Sequence, residues 1–219
     1  MYWAKRWSVS SRRFEMLRAR WDPTSYYENE IRKEIIMPFL PSLEHEDKVP
    51  HALAKFQNGT QRPLLLFHQA LLRGKSPFTV KERELMAAYV SGLNACQYCY
   101  GAHTAVADLF GVPEQLITGL VEDVDQSDVD DRLKPVFRYL RKLTVTPTQM
   151  TQADADAVYD AGWSEQALYD AVQVCCLYNF MNRFVEGLGL TPIPDQFGME
   201  AKMIFDGGYD GILEAFDIK

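Results

Sequence analysis

The stretch from Glu84 to His103 constrains this chain more than any other. It reads Glu-Leu-Met-Ala-Ala-Tyr-Val-Ser-Gly-Leu-Asn-Ala-Cys-Gln-Tyr-Cys-Tyr-Gly-Ala-His: a carboxylate, eleven residues, Cys96-x-x-Cys99, three residues, His103. At i, i+3 on a helix the two sulfurs come within disulfide reach, and at i, i+4 Cys99 and His103 share a face one turn apart. A thiol with a resolving partner and a base beside it is equipped for reversible thiol chemistry. On one unbroken helix Glu84 would stand roughly 18 Å from Cys96, at ~1.5 Å per residue, and would take no part. Gly92-Leu93-Asn94 breaks the pattern, Gly92 suiting a helix end and Asn94 the N-cap of the next helix. The chain is expected to fold back here, with Glu84 ten residues before Asn94 and His103 nine after it. That pairing sets the carboxylate opposite the imidazole, in the order Glu84, His103, Cys99, with Cys96 nearer the corner.

Magnitudes select the activating group. A free cysteine titrates near pH ~8.5, which leaves a few per cent thiolate at neutrality. A helix N-terminus offers an exposed anion about 0.3–1 kcal/mol, less than one pKa unit. The dipole is too weak alone. A partly buried His103, held in one tautomer by Glu84, is the better acceptor for the thiol proton.

The spacing of Glu84, Cys96, Cys99 and His103 resembles the motif of the alkyl hydroperoxidase D-like family, within the carboxymuconolactone decarboxylase-like superfamily. The resemblance implies an all-helical fold and a CxxC pair cycling between dithiol and disulfide. It also implies a proton relay from the second cysteine through the histidine to the glutamate, if need be by way of water. The segment Tyr178–Gly189, with Leu143-Thr144, Pro147, Asp154 and Gly162 before it, is similar to the second half of a subgroup called peroxidase-related proteins. The resemblance covers roughly residues 35 to 195.

Composition narrows the setting. A chain of 219 residues suffices for one domain with a sizeable core, or two small repeats. Its 47% hydrophobic and 24% charged residues are those of an ordinary globular protein. A net charge of −7 argues against a nucleic-acid partner. No apolar run approaches the ~20 residues that span a bilayer. Four cysteines, two of them in CxxC, do not make the framework of a secreted scaffold. We therefore expect a cytoplasmic protein with neither membrane nor nucleic acid as partner.

Residues 1–34 read as a basic N-terminal arm. Within the first 21 residues Lys5, Arg6, Arg12, Arg13, Arg18 and Arg20 face only Glu15. Three readings fit: a transit peptide, an arm packing on the body or a neighbouring subunit, and an upstream start with Met16 or Met37 as the true one. The last two are preferred, because no cleavage-like pattern is evident.

Along the chain, Ser25–Ile36 reads as a helix, and Pro38, Pro41 and Pro50 as a loop. Pro63–Leu72 is an apolar helix ended by Arg73-Gly74, and His68 within it reads as a core or pocket-wall histidine. Thr79-Val-Lys-Glu82 is a capping box for the Glu84 helix, whose apolar stripe is Leu85, Ala88, Tyr89 and Gly92. Asn94–Phe110 is the CxxC helix, and Pro113 opens a successor. Asp123–Asp131 reads as a solvated acidic linker. Helices are expected over Asp130–Leu143, over Thr151–Ala161 and from the Ser164 cap to Glu186. Cys175 and Cys176 read as buried small hydrophobes, and Arg183 as half of a structural ion pair.

An internal repeat is expected. An offset of 83 residues sets Leu168 on Leu85, Asn179 on Cys96, Asn182 on Cys99 and Glu186 on His103. The domain would then span residues 35–195, with a CxxC repeat at about 62–122 and a second, lacking the redox pair, at about 130–190. Residues 196–219 form a tail that packs on the domain or on a neighbouring subunit.

The function expected is thiol oxidoreduction of the antioxidant type, with Cys99 as nucleophile, Cys96 as its partner, and His103 and Glu84 as relay. The substrate is a hydroperoxide or a disulfide, and an external thiol reductant replaces any bound cofactor. An acid–base decarboxylase is the main alternative, although it has no use for CxxC. A structural zinc site built from Cys96, Cys99, His103 and Glu84 ranks third, because the second Cys/His pair of a zinc finger is missing. Apolar residues on more than one face of Pro63–Leu72 and Leu168–Val185 predict a homo-oligomer.

Overall fold

The computed structural model describes residues 37–219, so the expected arm over residues 1–34 and the helix Ser25–Ile36 lie outside the described residues. Residues 37–219 form one packed unit. Its helices in order are α1 (Val49–Lys55), α2 (Gln61–Arg73), α3 (Val80–Leu93), α4 (Gln97–Leu109), α5 (Glu114–Glu122), α6 (Lys134–Val145), α7 (Gln152–Asp160), α8 (Glu165–Leu188), α9 (Pro194–Gly207) and α10 (Asp210–Ala215). No strand occurs among the described residues, so the all-helical expectation holds. No described helix is long and apolar enough to cross a membrane.

Helix α3 is the axis of the fold. The Thr79 side chain accepts from Glu82 N, and Glu82 returns a bond to Thr79 N, so the capping box forms as its residues predict. Every residue from Arg83 to Gly92 is buried, which is wider than the expected stripe. The reason is that α2, α4, α5, α6 and α8 all pack on it. Arg83 survives this burial by giving its guanidinium to the Leu71 and Gly74 carbonyls at 2.7 and 2.9 Å, which pins the α2–α3 connection.

The corner after α3 forms, two residues later than its sequence suggests. Asn94 closes α3 and does not cap α4; Cys96 is the N-cap of α4. Cys96 N donates to Ser91 O at 3.1 Å and Ala95 N to Gly92 O at 2.9 Å, the paired bonds of a Schellman motif. Its left-handed position, usually glycine, is Ala95 at φ +54. The Asn94 amide donates instead to Asn179 Oδ1 at 3.2 Å and Asn182 Oδ1 at 2.8 Å, and Asn182 donates to Ser91 Oγ at 3.0 Å. The Asn-x-x-Asn of α8 thus clasps the CxxC corner.

Several expectations require correction. Helix α8 runs unbroken through Cys175–Asn182, where the 83-residue offset would place a second corner, and ends at Gly189 in the left-handed conformation. No glycine lies in that run to stop the helix. Pro50 occupies the first turn of α1 and not a loop, a position that needs no N–H. Cys175 is buried but Cys176 is exposed. Arg183 is exposed and donates to Asn179 O and Oδ1 at 2.6 and 3.0 Å, so the carboxylate partner expected for it is a carbonyl and an amide. Residues after 195 pack on the rest of the domain, α9 along α4 and α10 against α2. Gly101 permits this approach: a Cβ there would lie 2.5 Å from the Phe197 ring. Leu66, Phe67, Tyr169 and Phe180 remain exposed on α2 and α8.

Candidate active site

Folding back at Ala95–Cys96 brings α3 and α4 side by side and delivers the expected pair. Glu84 Oε2 lies 2.8 Å from His103 Nδ1, nineteen residues away, and the carboxylate is wholly buried. Its other oxygen takes the Arg73 guanidinium at 2.6 Å. Burial alone raises the Glu84 carboxyl, but the hydrogen bond and charge of His103, together with Arg73, outweigh it and hold the group below the usual carboxylate range. An ionised carboxylate only accepts, so Nδ1 of His103 carries the proton. With Nδ1 so engaged, Nε2 is the ring nitrogen left to accept a proton.

Arg73 carried no signal in the sequence beyond its place at a helix end. It also donates to the carbonyls of Leu72 at 3.1 Å and Ile204 at 3.4 Å. Its guanidinium lies 5.6 Å from the Phe110 ring centroid and 5.5 Å from that of Tyr209.

Cys99 and His103 both line a cavity of about 60 Å³, room for a few water molecules or the head of a small ligand. Cys96 is not on its wall. Both cysteines are free, Cys99 5% and Cys96 0% exposed. A hydrogen bond from Cys96 to the Cys99 sulfur, then burial, pushes the Cys96 thiol well above an ordinary thiol. Of the pair, Cys99 faces the cavity and Cys96 holds its proton.

The opposite walls come from elements that sequence reasoning left out of the site. Val49, Pro50 and Leu53 of α1 and Leu64 and Leu65 of α2 supply an apolar surface. His68 joins them as the pocket-wall histidine expected. Its Nδ1 donates to the Leu64 carbonyl at 2.8 Å, and burial pushes it down to about 4, so it is neutral. Tyr178 stands edge-on to His103 at 4.5 Å between centroids, and its hydroxyl is 3.3 Å from that of Tyr209. From α9 come Glu200 and Ile204. Helix α9 was legible in part: Phe197, Ala201 and Ile204 recur at i, i+4 and i+7 after Pro194, which is a helical face. What that face covers was not.

The aspartates of Asp123–Asp131 stay exposed, Asp125 pairing with Arg138 and Asp131 with Lys134. Among the described residues no group of three or more His, Cys, Asp or Glu side chains converges to hold a metal. Glu84 has both oxygens engaged by Arg73 and His103.

Residues 59–125 match the model of the carboxymuconolactone decarboxylase family, a segment that runs from the start of α2 past the end of α5. Glu84, Cys96, Cys99 and His103 all fall within it. This segment is similar to the carboxymuconolactone decarboxylase family, and the fold to that of alkyl hydroperoxidase D-like proteins. Among solved structures it is similar to an uncharacterized peroxidase-related protein from Silicibacter sp. TM1040, at 25% identity and a TM-score of 0.63. That match covers 82% of this chain and 91% of the other. It is also similar to an alkylhydroperoxidase AhpD core protein, peroxidase-related and uncharacterized, from Ralstonia eutropha JMP134. There the identity is 21%, the TM-score 0.59, and the coverage 65% of this chain and 75% of the other. No curated protein matches the chain.

Proposed function

We propose that this protein is a thiol-dependent hydroperoxide reductase, with Cys99 as the attacking thiol and Cys96 as the resolving one. The observation that carries this reading is that Cys99 lies on the wall of a small, largely apolar cavity while Cys96 stands behind it. A protein disulfide would have to bring its sulfur to a thiol that is 5% exposed, whereas a hydroperoxide enters as a small molecule. Burial therefore favours the peroxide over the disulfide substrate.

The geometry supports the following chemistry. His103 Nε2 takes the Cys99 proton, and Glu84 holds the resulting imidazolium. The thiolate attacks the terminal oxygen of ROOH; the O–O bond breaks, giving Cys99 sulfenic acid and, with one proton, ROH. The Cys96 thiol then attacks the sulfenic sulfur, and water leaves as the disulfide forms. Two equivalents of an external thiol, a small molecule or a reductant protein, restore the dithiol. No bound cofactor enters this cycle.

The matching family model keeps a decarboxylase as the second reading. It would need a cation to hold a carboxylate substrate, yet none of the described residues lining the cavity is Lys or Arg. The test is peroxide consumption with several hydroperoxides and several thiol reductants, on wild type and Cys99→Ser. Turnover in the wild type that vanishes in the variant supports the reading. Equal rates in the two proteins contradict it.

A further inference from the structure

We propose that Arg73 is the positioning residue of the relay: by neutralising Glu84 it keeps Nε2 of His103 free of a proton, so that Cys99 and His103 rest as thiol and imidazole and not as thiolate and imidazolium. The consequence for Cys99 rests on the relay proposed above; the placing of the proton on His103 does not.

Three groups form a chain of contacts. Arg73 Nη1 lies 2.6 Å from Glu84 Oε1, and Glu84 Oε2 lies 2.8 Å from His103 Nδ1. Arg73 enters from the last turn of α2. The Leu72 and Ile204 carbonyls and the Phe110 and Tyr209 rings hold its guanidinium in place.

Charge counting then places the protons. A guanidinium does not give up its charge inside a protein, and buried charges are costly unless they cancel. Glu84 is wholly buried and the Arg73 side chain is 12% exposed. Carboxylate and guanidinium cancel, so a further proton on the ring would leave the cluster with a net positive charge. Without the Arg73 cation the Glu84–His103 pair would carry a net buried negative charge and would take up one proton. That proton reaches Nε2 by either route. Added to the ring, it makes an imidazolium with both nitrogens protonated. Added to Glu84, it makes a carboxylic acid that donates to Nδ1, and the ring proton then sits on Nε2. Glu84 therefore orients the imidazole, and Arg73 stops it from charging the imidazole.

Other groups that face His103 do not supply this balance. His68, from α2, is neutral because burial pushes it down to about 4. Tyr178, from α8, meets the ring edge-on. Glu200, from α9, has Lys48 at 3.4 Å as its own counter-ion. Cys99 lies on the same helix as the ring.

The experiment compares wild type with Arg73→Gln, which can still donate to Glu84 but carries no charge, and with Arg73→Lys, which keeps the charge. Nitrogen-15 NMR of the His103 ring, assigned against His103→Gln, reads the proton on Nε2 directly. At neutral pH the wild type should show none. In Arg73→Gln the proton should stay on Nε2 to a pH about one unit higher, the least that a charge a few ångströms away contributes. Arg73→Lys should follow the wild type. If the relay holds, iodoacetamide labelling of Cys99 just below neutral pH should be about 10-fold faster in Arg73→Gln. A residue that only braces Glu84 would slow it on removal, as Glu84→Gln does. A proton on Nε2 of the wild type at neutral pH overturns the assignment, and that measurement needs no variant to fold. Equal protonation of Nε2 in wild type and Arg73→Gln overturns it too. Proton uptake on Nε2 with unchanged labelling would uphold the placing of the proton by Arg73 and remove the relay from His103 to Cys99.

Discussion

Glu84 and His103, on antiparallel helices and nineteen residues apart, meet at 2.8 Å with the carboxylate wholly buried. This single contact fixes the histidine tautomer. Residues that act as one unit contribute non-additively. In a Cys96→Ser background, His103→Gln should slow iodoacetamide labelling of Cys99 at neutral pH, and Glu84→Gln should slow it less. The double variant should be little slower than His103→Gln alone. All should recover as pH rises past the ~8.5 of an ordinary thiol. Additive losses would make Glu84 a structural carboxylate only.

Arg73 gives Glu84 a second charge partner at 2.6 Å, with its side chain 12% exposed. Removing one member of a buried pair strands the other. Arg73→Met should therefore lower stability by roughly 3–5 kcal/mol in urea unfolding. A loss below about 1 kcal/mol, as for a surface pair, would show that His103 alone suffices for Glu84.

His68 sets a pH dependence. Folding lowers it from 6.5 to about 4, so between those values the unfolded chain binds more protons. Stability is fully present above pH 6.5 and falls as pH drops towards 4, by about 3 kcal/mol in all. Urea midpoints of wild type should decline over that window. Those of His68→Asn, which keeps a donor for Leu64, should lose most of that decline.

Much of this fold was legible because its signals are local. Thr79, Thr151 and Ser164 start the helices they predict, and the Glu84–His103 meeting follows from spacing about a corner. The corner itself was misplaced because Ala95, unlike glycine, carries no mark of a left-handed backbone. Arg73 and Glu200 were invisible for a different reason. Their places at the site depend on which helices pack beside α3 and α4, and no short-range pattern records that.

The Ala95 conformation makes a prediction of its own. A left-handed residue with a Cβ is strained by roughly 1–2 kcal/mol, and glycine relieves it. Ala95→Gly should raise the unfolding free energy by about 0.5–1 kcal/mol after the greater entropy of unfolded glycine is deducted. A lower stability would mean that the Schellman turn is held by contacts of the Ala95 methyl.

The order of the two thiols is the central claim, and sulfenic-acid trapping tests it most directly. After one equivalent of alkyl hydroperoxide, the wild type should yield a Cys96–Cys99 disulfide, with Cys175 and Cys176 still reduced by peptide mapping. Cys96→Ser should accumulate a sulfenic acid on Cys99 that dimedone captures, and Cys99→Ser should capture none. Dimedone on Cys96 in the Cys99→Ser protein, with an unmodified Cys99 in Cys96→Ser, would contradict the account.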